Sequence, residues 1–587
     1  MNMKTNIDVV TVEADVLIIG GGLAGCMAAI KACESGLKVA IAEKADTLAS
    51  GCAGSGIDHM WAYIPEVHEP MGYSPEDMID NHVKVVSRGF VNQDLLRIVV
   101  NDSYERMLDL EKFGLKFRFD DSNAPGKFRI VYQFHSVPDT FNFEGRRIKV
   151  HLTKTAKRKG AKIFNRVTMT DLLATEDGHV SGALGVGTRD GKIYLFRAKA
   201  VVMSTGRVNR LTRNLTGVWG NYRLPVSETG DGRAMAFRAG VPIINMEFLS
   251  PSRFSIGNYE LNLGSPRNTT QPAGAVVDFE NNVVVPRTRS YDWNKLGKVN
   301  VAAAMAEHLQ GNTAVSANYF QLLKEGRGPF YLDLTGGTDE EIRYIEWSIS
   351  HEGKGLLFLE HLHNQMQFDF RKDKLEWLPN TREMAGMASS GLVVDKNLET
   401  SLKGLFAAGD EVGGMPWSAS PGAVTMGWRA GEMAAKEAAR HKEFFDVSSV
   451  DTENLSRLLE RMGGSGPGQT WQEAETAIQN IVDYYADHFR SEAMLNRGLK
   501  RLAELRAVID LRSDSPHESG RCLEIYSLLE NAEMVLRSSL ERKESRRIPF
   551  GFTRAEYPDA NDAEYFAFLS QRRAGNGVQF SKINLTH

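Results

Sequence analysis

The sequence predicts an α/β fold: a doubly wound parallel-sheet domain, interrupted by an inserted α+β region and followed by a helical domain. Three observations carry this reading. Residues 15–43 read as strand, Gly-rich turn, helix and second strand. Two later apolar runs, Ala198–Gly206 and Gly404–Asp410, also end in small residues. Between them, residues 245–380 change texture to Pro, Asn and Gly clusters with short strands and separate helices, as expected of an insertion between two parts of one sheet.

The first unit runs Asp15-Val-Leu-Ile-Ile-Gly20-Gly-Gly22-Leu-Ala-Gly25 and closes on Val39-Ala-Ile-Ala-Glu43. Gly20 permits the tight turn, Gly22 lets the backbone approach a pyrophosphate, and Gly25 lets the helix pack closely on the strand. The helix N-terminus offers unpaired N–H groups and a partial positive charge to phosphates. Glu43 lies eighteen residues after Gly25, where the chain reaches toward a ribose hydroxyl. This unit alone does not separate NAD from FAD.

A second small-residue loop follows at Ala49–Ile57. Apolar spacings of three and four predict helix over 76–114. Residues 146–175 read as helix into strand, and Val180–Val186 and Lys192–Arg197 alternate about a turn at Asp190-Gly191, as in a hairpin or meander. The sheet pattern returns at Gly391-Leu-Val-Val-Asp and at Gly404–Asp410, and a small-residue helix is expected from Gly422 to Arg440. Gly463–Gly468 reads as a linker, residues 470–545 as strongly helical, and the last forty residues as polar and aromatic without clear periodicity.

Bulk properties bound the function. The 587 residues suffice for two to four domains, with 42% hydrophobic and 25% charged residues, as in ordinary globular proteins. A net charge of −4 argues against a dedicated nucleic-acid binder. No apolar run is long enough to span a bilayer, and the N-terminus lacks a secretory core or twin arginine, so a cytoplasmic location is expected. The four cysteines, Cys26, Cys33, Cys52 and Cys522, have no C-x-x-C spacing, so neither zinc nor an iron–sulfur cluster is expected on them.

The first Gly-rich unit, the strand ending at Ser204-Thr205-Gly206 and the segment Gly404–Gly414 converge on one cofactor. Ligands of doubly wound sheets lie beyond the C-terminal strand ends, and small residues there leave room for a bulky group. Asp410 can meet a ribityl or pyrophosphate-adjacent hydroxyl. A helix starting near Gly422 can aim its N-terminus at a flavin pyrimidine ring, stabilising negative charge there. FAD is the cofactor this arrangement suits.

In this order of motifs the chain resembles the flavoprotein subunits of the fumarate reductase and succinate dehydrogenase superfamily, over nearly its whole length. The resemblance implies a Rossmann-like FAD-binding domain with an inserted α+β capping domain and a C-terminal helical domain. Residues 1–245 and 380–445 would form the discontinuous FAD-binding domain, 246–379 the capping or substrate domain, 446–545 the helical domain and 546–587 a C-terminal tail. Two stretches, Val218–Gly240 and Met246–Gly257, look like the adenylylsulfate reductase alpha subunit. By that likeness Trp219 and Arg253 flank the flavin at the substrate site.

The departures are informative. No His stands in Ala385–Gly391 where adenylylsulfate reductase carries one. The Arg pairs of fumarate reductase capping domains are missing from Val276–Arg289, where Arg287 and Arg289 could instead close over a substrate. Pro251-Ser-Arg253 replaces a His-Pro-Thr motif, and Ser50 stands where many members attach flavin to His. Noncovalent FAD is therefore expected, with a substrate that is neither clearly fumarate nor clearly adenylylsulfate.

The cofactor-binding set comprises Gly20, Gly22, Leu23, Ala24, Gly25, Glu43 and Lys44 from the first unit and Ser50, Gly51, Cys52, Ser55 and Gly56 from the second loop. Val167, Thr205, Gly206, Gly409, Asp410, Gly422, Ala423 and Val424 complete it. The catalytic candidates are Arg253 as anion anchor, Trp219 as a flat wall, and His59 and His135 as proton donors. The reading is an FAD-dependent oxidoreductase flavoprotein subunit. It carries out two-electron redox of a small anionic substrate and exchanges electrons with a ferredoxin-like iron–sulfur subunit, within an oligomer. A self-contained C=C reductase or dehydrogenase, and a flavin relay without its own substrate site, are the alternatives.

Overall fold

The computed structural model describes residues 7–57, 59–118, 126–128, 130–132, 139–213, 225–248, 254–256, 275–285, 322, 325–351, 353–379, 389–546, 552–575 and 577–585. The chain opens with β1 (Val9–Ile19), α1 (Leu23–Cys33) and β2 (Val39–Glu43). β3 (His59–Trp61), α2 (Gln93–Lys112) and α3 (Ile148–Arg158) follow. Next come β4 (Lys162–Asn165), β5 (Val167–Ala174), β6 (Val180–Gly187) and β7 (Ile193–Met203), then α4 (Asp231–Arg238) and β8 (Ile243–Ile244). After the insertion the chain returns through β9 (Gly391–Leu392), β10 (Leu405–Ala407) and α5 (Ala419–Ala438). It ends with α6 (Ser449–Met462), α7 (Trp471–Tyr485), α8 (Glu492–Val508), α9 (Pro516–Glu541), β11 (Ala567–Ala574) and β12 (Gly577–Asn584).

The main sheet has the order β4-β2-β1-β7-β6-β5, with β10 also on β7. Strands β4, β2, β1, β7 and β10 run parallel, while β5, β6 and β7 form the expected antiparallel meander. Register places four strand ends in one row. Ile19 lies beside Ala42 and Met203, and Met203 beside Ala407. The segments after these residues emerge side by side, as the rule for ligand sites in doubly wound sheets requires.

Helix α1 is apolar around nearly its whole circumference, because the sheet, α3 and α5 enclose it. Its contact with α5 is backbone-close. A Cβ at Gly427 would strike the Ala24 carbonyl, and one at Gly431 that of Ala28. Helix α5 starts at Ala419, three residues before the expected Gly422, because Pro421 falls in the first turn, where a missing N–H leaves no bond unmade.

The 76–114 region is two helical pieces rather than one. Pro75–Asn81 runs into a turn of π-helix at His82–Val86, and α2 begins only at Gln93. Arg88 and Gly89 take positive φ (49° and 83°) between them, and Asn92 restarts the helix by accepting from the Asp94 and Leu95 N–H groups.

The inserted segment supplies a sheet in the order Phe254–Ile256, Leu375–Pro379, Phe330–Asp333, Ala275–Asp278 and Val283–Val285. Helices Asp339–His351 and Gly353–Glu360 accompany it, and the insertion has its own apolar cluster around Phe330, Ile345 and Phe358. The sequence expects both returning strands to rejoin one sheet, but only β10 does. Strand β9 pairs with β8 in a second sheet, β9-β8-β11-β12. That sheet also takes in the tail: β11 and β12 form a hairpin over eight paired positions. The tail lacks a strong apolar signal because β12 is largely exposed on this edge.

Helix α9 is the buried axis of the C-terminal region and bonds directly to the nucleotide-binding domain. Asn531 donates to Gly230 O at 3.0 Å, Glu530 meets Arg238 at 2.6 Å, and Glu524 meets Lys44 at 3.0 Å. Among the described residues, no helix is long and apolar enough to cross a membrane.

Candidate active site

Beyond the row of strand ends lies a deep cleft. Its wall includes Gly20, Gly22, Leu23, Ala24, Glu43, Lys44, Gly51, Cys52, Ser55, Gly56, His59, Val167, Thr205, Gly206, Gly409, Asp410 and Ala423. Segments far apart in sequence thus meet at one place. Four candidates stand behind the wall: Gly25, Ser50, Gly422 and Val424. Gly25 faces the Gly20 turn, where a Cβ would collide with the Gly20 carbonyl and stand 2.7 Å from Ser204 Oγ. Ser50 donates to Gly21 O at 3.2 Å, so it props the loop from beneath. Gly422 and Val424 are buried within α5, and Ala419 and Ser420 join Ala423 at the cleft instead.

The Gly-rich turn is built from the strand row. Gly20 donates to Ala42 O at 2.8 Å, and Ser204 N–H donates to Ile19 O at 2.8 Å. Gly20 sits at φ 95°, and a Cβ there would stand 2.5 Å from Ser204 O, so only glycine fits. Gly22 is the opposite case: a Cβ would meet nothing within 4 Å, because the loop faces open space. Helix α1 has no side-chain cap at Gly22 and no acid in its first turn. The unpaired N–H groups of this N-terminus are what an anionic diphosphate requires.

Glu43 is nearly buried and binds backbone on both sides. Its carboxylate accepts from Gly21 N and Ala45 N, each at 2.6 Å. The carboxylate therefore fixes the Gly-rich loop while standing at the cleft. Lys44 is also committed: its ammonium lies 2.6 Å from Asp231, 2.9 Å from Thr229 Oγ1 and 3.0 Å from Glu524. Burial alone would raise the Glu524 pKa, but Lys44, Arg210 and Arg521 hold it down to about 2.

Opposite the turn, a polar cluster brings Thr205, Arg207 and Glu228 together with Asp410 and Glu411, just after β10. Arg207 Nε donates to Asp410 Oδ2 at 2.5 Å. Asp410 Oδ1 is buried and accepts no hydrogen bond among the described residues. Thr205 donates through N–H (3.0 Å) and hydroxyl to the Glu411 carboxylate. The Cys52 thiol donates to Glu228 Oε1 at 3.1 Å. Burial, then the Glu228 carboxylate, pushes the Cys52 thiol well above its ordinary pKa, so it stays protonated. Burial likewise raises Glu228, against the pull of Arg207.

These residues fit FAD. The Gly22 cradle and uncapped α1 N-terminus suit the pyrophosphate, and the orphaned Asp410 oxygen lacks a donor of the kind that a ribityl or ribose hydroxyl supplies. Sequence reasoning missed Arg207 and Glu228, which line the cleft but belong to no local motif. It also missed Lys149. That lysine is 1% exposed on α3, and its ammonium donates to Gly21 O, to Gly22 O at 3.1 Å and to Cys26 Sγ at 3.1 Å.

His59 lines the cleft on β3, where its carbonyl accepts from Ser420 Oγ at 3.4 Å. The other catalytic candidates, Trp219, Arg253 and His135, lie outside the described residues, as do Arg287 and Arg289.

A model of the FAD binding domain matches residues 15–425, and one of the fumarate reductase flavoprotein C-terminus matches residues 475–586. A fumarate reductase (CoM/CoB) polypeptide from Methanothermobacter marburgensis is 27% identical, over 93% of this chain and 96% of its own. The fumarate reductase flavoprotein subunit of Haemophilus influenzae is 24% identical, over 98% and 95%. Among solved structures, adenylylsulfate reductase from Archaeoglobus fulgidus superposes with a TM-score of 0.85 at 23% identity, over 99% of this chain and 97% of that one. The chain belongs to the fumarate reductase and succinate dehydrogenase flavoprotein superfamily and is an FAD-dependent oxidoreductase.

Proposed function

We propose that the chain is the flavoprotein subunit of a reductase or dehydrogenase acting on a small anionic substrate, with electrons exchanged through an iron–sulfur partner. The observation that carries this reading is the cleft, where an anion-ready helix N-terminus and an Asp410 oxygen that accepts no hydrogen bond among the described residues face one space. When bound, FAD supplies two-electron chemistry at flavin N5.

This chain's residues would do the rest. The Leu23 and Ala24 N–H groups and the α1 dipole hold the pyrophosphate, Asp410 accepts from a hydroxyl of the cofactor, and Glu43 stands where the adenosine ribose is expected. No His stands at Ser50, which donates to Gly21 O, so the flavin is held without a covalent bond to that position. Arg253 anchors the substrate anion by its planar fork, and Trp219 walls the site. His59, already at the cleft, is the proton donor to test first, and His135 the second.

Two facts support the electron partner. Relatives of similar length are named as subunits. All four cysteines are unpaired and scattered, so this chain offers no four-cysteine cluster. The test is a titration of the oxidised holoprotein with fumarate, succinate, adenylylsulfate and sulfite, read as flavin difference spectra. One anion should give a saturable perturbation that Arg253→Ala weakens at least tenfold. A flavin spectrum indifferent to every anion would leave the relay reading instead.

A further inference from the structure

At the far end of α5, about 21 Å along the helix from cleft residue Ala423, three side chains converge that no part of the flavin chemistry uses. Glu437 lies in the last turn and His441 just beyond it, while His179 immediately precedes β6, 258 residues earlier than Glu437. Glu437 Oε1 stands 3.0 Å from His441 Nε2 and 3.4 Å from His179 Nε2, and the three ligand atoms lie within 4.8 Å of one another. Four-coordinate zinc with bonds of about 2.0–2.2 Å spaces its ligand atoms about 3.3 Å apart.

The His179 ring is held in one orientation. Its Nδ1 is 2.8 Å from Val180 O, and a carbonyl can only accept, so Nδ1 carries the proton. Nε2 is thereby turned toward the Glu437 carboxylate. At this buried ring, 7% exposed, the space between Nε2 and Glu437 Oε1 takes either a proton on Nε2 or a bound cation. The carbonyl bond to Nδ1 is also how metal-ligating imidazoles are commonly oriented. Gly404 fixes the ring, since a Cβ there would strike it, and Phe445 packs on both imidazoles at 4.4 and 4.9 Å between ring centroids. The other charged group on the carboxylate is Arg440, which donates to Glu437 Oε2 at 2.6 Å and leaves Oε1 to the histidines.

We propose that His179 Nε2, His441 Nε2 and Glu437 Oε1 form a binding site for one divalent transition ion of the zinc class, pinning the end of α5 to the start of β6. Two imidazoles and one carboxylate favour such an ion over magnesium or calcium, which prefer all-oxygen shells. The C-terminal end of the α5 dipole adds to the attraction.

The test uses the full-length, tag-free flavoprotein, stripped with EDTA, dialysed and titrated calorimetrically with ZnCl2. Wild type should bind one equivalent with a raised Tm, undiminished by millimolar MgCl2. His441→Ala and, independently, Glu437→Gln should weaken binding at least tenfold and abolish the Tm rise, with metal-free Tm and FAD content unchanged. Arg440→Ala, which frees Oε2, should tighten binding severalfold. Failure of wild type to take up zinc overturns the proposal. So does zinc binding by both His441→Ala and Glu437→Gln within twofold of wild type, which would place the ion on cysteines or elsewhere.

Discussion

Lys149→Met tests how the cleft is held ready for a diphosphate. In wild type the ammonium lies behind the Gly-rich loop and draws the Gly21 and Gly22 carbonyls toward α3. Carbonyl and following N–H point in opposite directions across a trans peptide, so the Gly22 and Leu23 N–H groups are turned the other way, toward the cleft they line. The substitution leaves neither carbonyl orphaned. Gly21 O keeps Ser50 Oγ at 3.2 Å, and Gly22 O keeps the Cys26 N–H at 3.0 Å. The fold should therefore survive, and the loss should fall on loop alignment and on the cation behind the phosphates. Hydrogen bonds from a charged donor contribute about 1.5–3 kcal/mol each, and removing the ammonium also removes its own burial cost. A net loss of about 1.4–2.8 kcal/mol in FAD binding corresponds to about 10- to 100-fold in Kd. Titration of apoprotein with FAD, read by quenching of flavin fluorescence, measures it. A Kd within twofold of wild type would refute the orienting role of Lys149.

Other consequences follow from the same contacts. Gly25→Ala drives a methyl into the Gly20 carbonyl, so it should cost about 1–3 kcal/mol in stability and purify with little FAD, by absorbance and thermal denaturation. Glu524 has a folded pKa of about 2 against an ordinary 4.5, so its stabilisation is present above pH 4.5 and lost as pH falls toward 2. By denaturant unfolding, wild type should lose about 3 kcal/mol more over that window than Glu524→Gln does. Arg542→Met leaves Glu247, itself fully buried and paired to Arg542 at 2.5 Å, without its cation; a loss of about 3–5 kcal/mol is expected by the same assay.

What was legible in the sequence was local. The Gly20–Gly25 spacing, the acid at Glu43 and the small residues at Gly206 and Gly409 announce strand ends and a helix N-terminus because adjacent residues define them. The antiparallel meander after Val167 was equally plain from alternation about Asp190-Gly191. What escaped is what tertiary contact decides. Lys149 is 128 residues from Gly21 and looks like any helical lysine until α3 is packed on the loop. Arg207 pairs with Asp410 across 203 residues. The tail looked aperiodic because β12 adds an exposed edge strand, and β8 is a two-residue strand, too short to show a period; strand at Gly391 was legible, but its pairing with β8 instead of the main sheet was not. The break at Arg88-Gly89 was hidden because a Cβ at Gly89 would meet Phe566, far away in the tail.

The reaction itself is reached most directly by anaerobic stopped flow. Photoreduced holoprotein is mixed with fumarate, adenylylsulfate and related small anions, and flavin reoxidation is followed. One anion should reoxidise the flavin with a rate that saturates in its concentration and falls at least a hundredfold in Arg253→Ala. Reoxidation by none of them, while an iron–sulfur protein or dye still accepts the electrons, would contradict a substrate site on this chain.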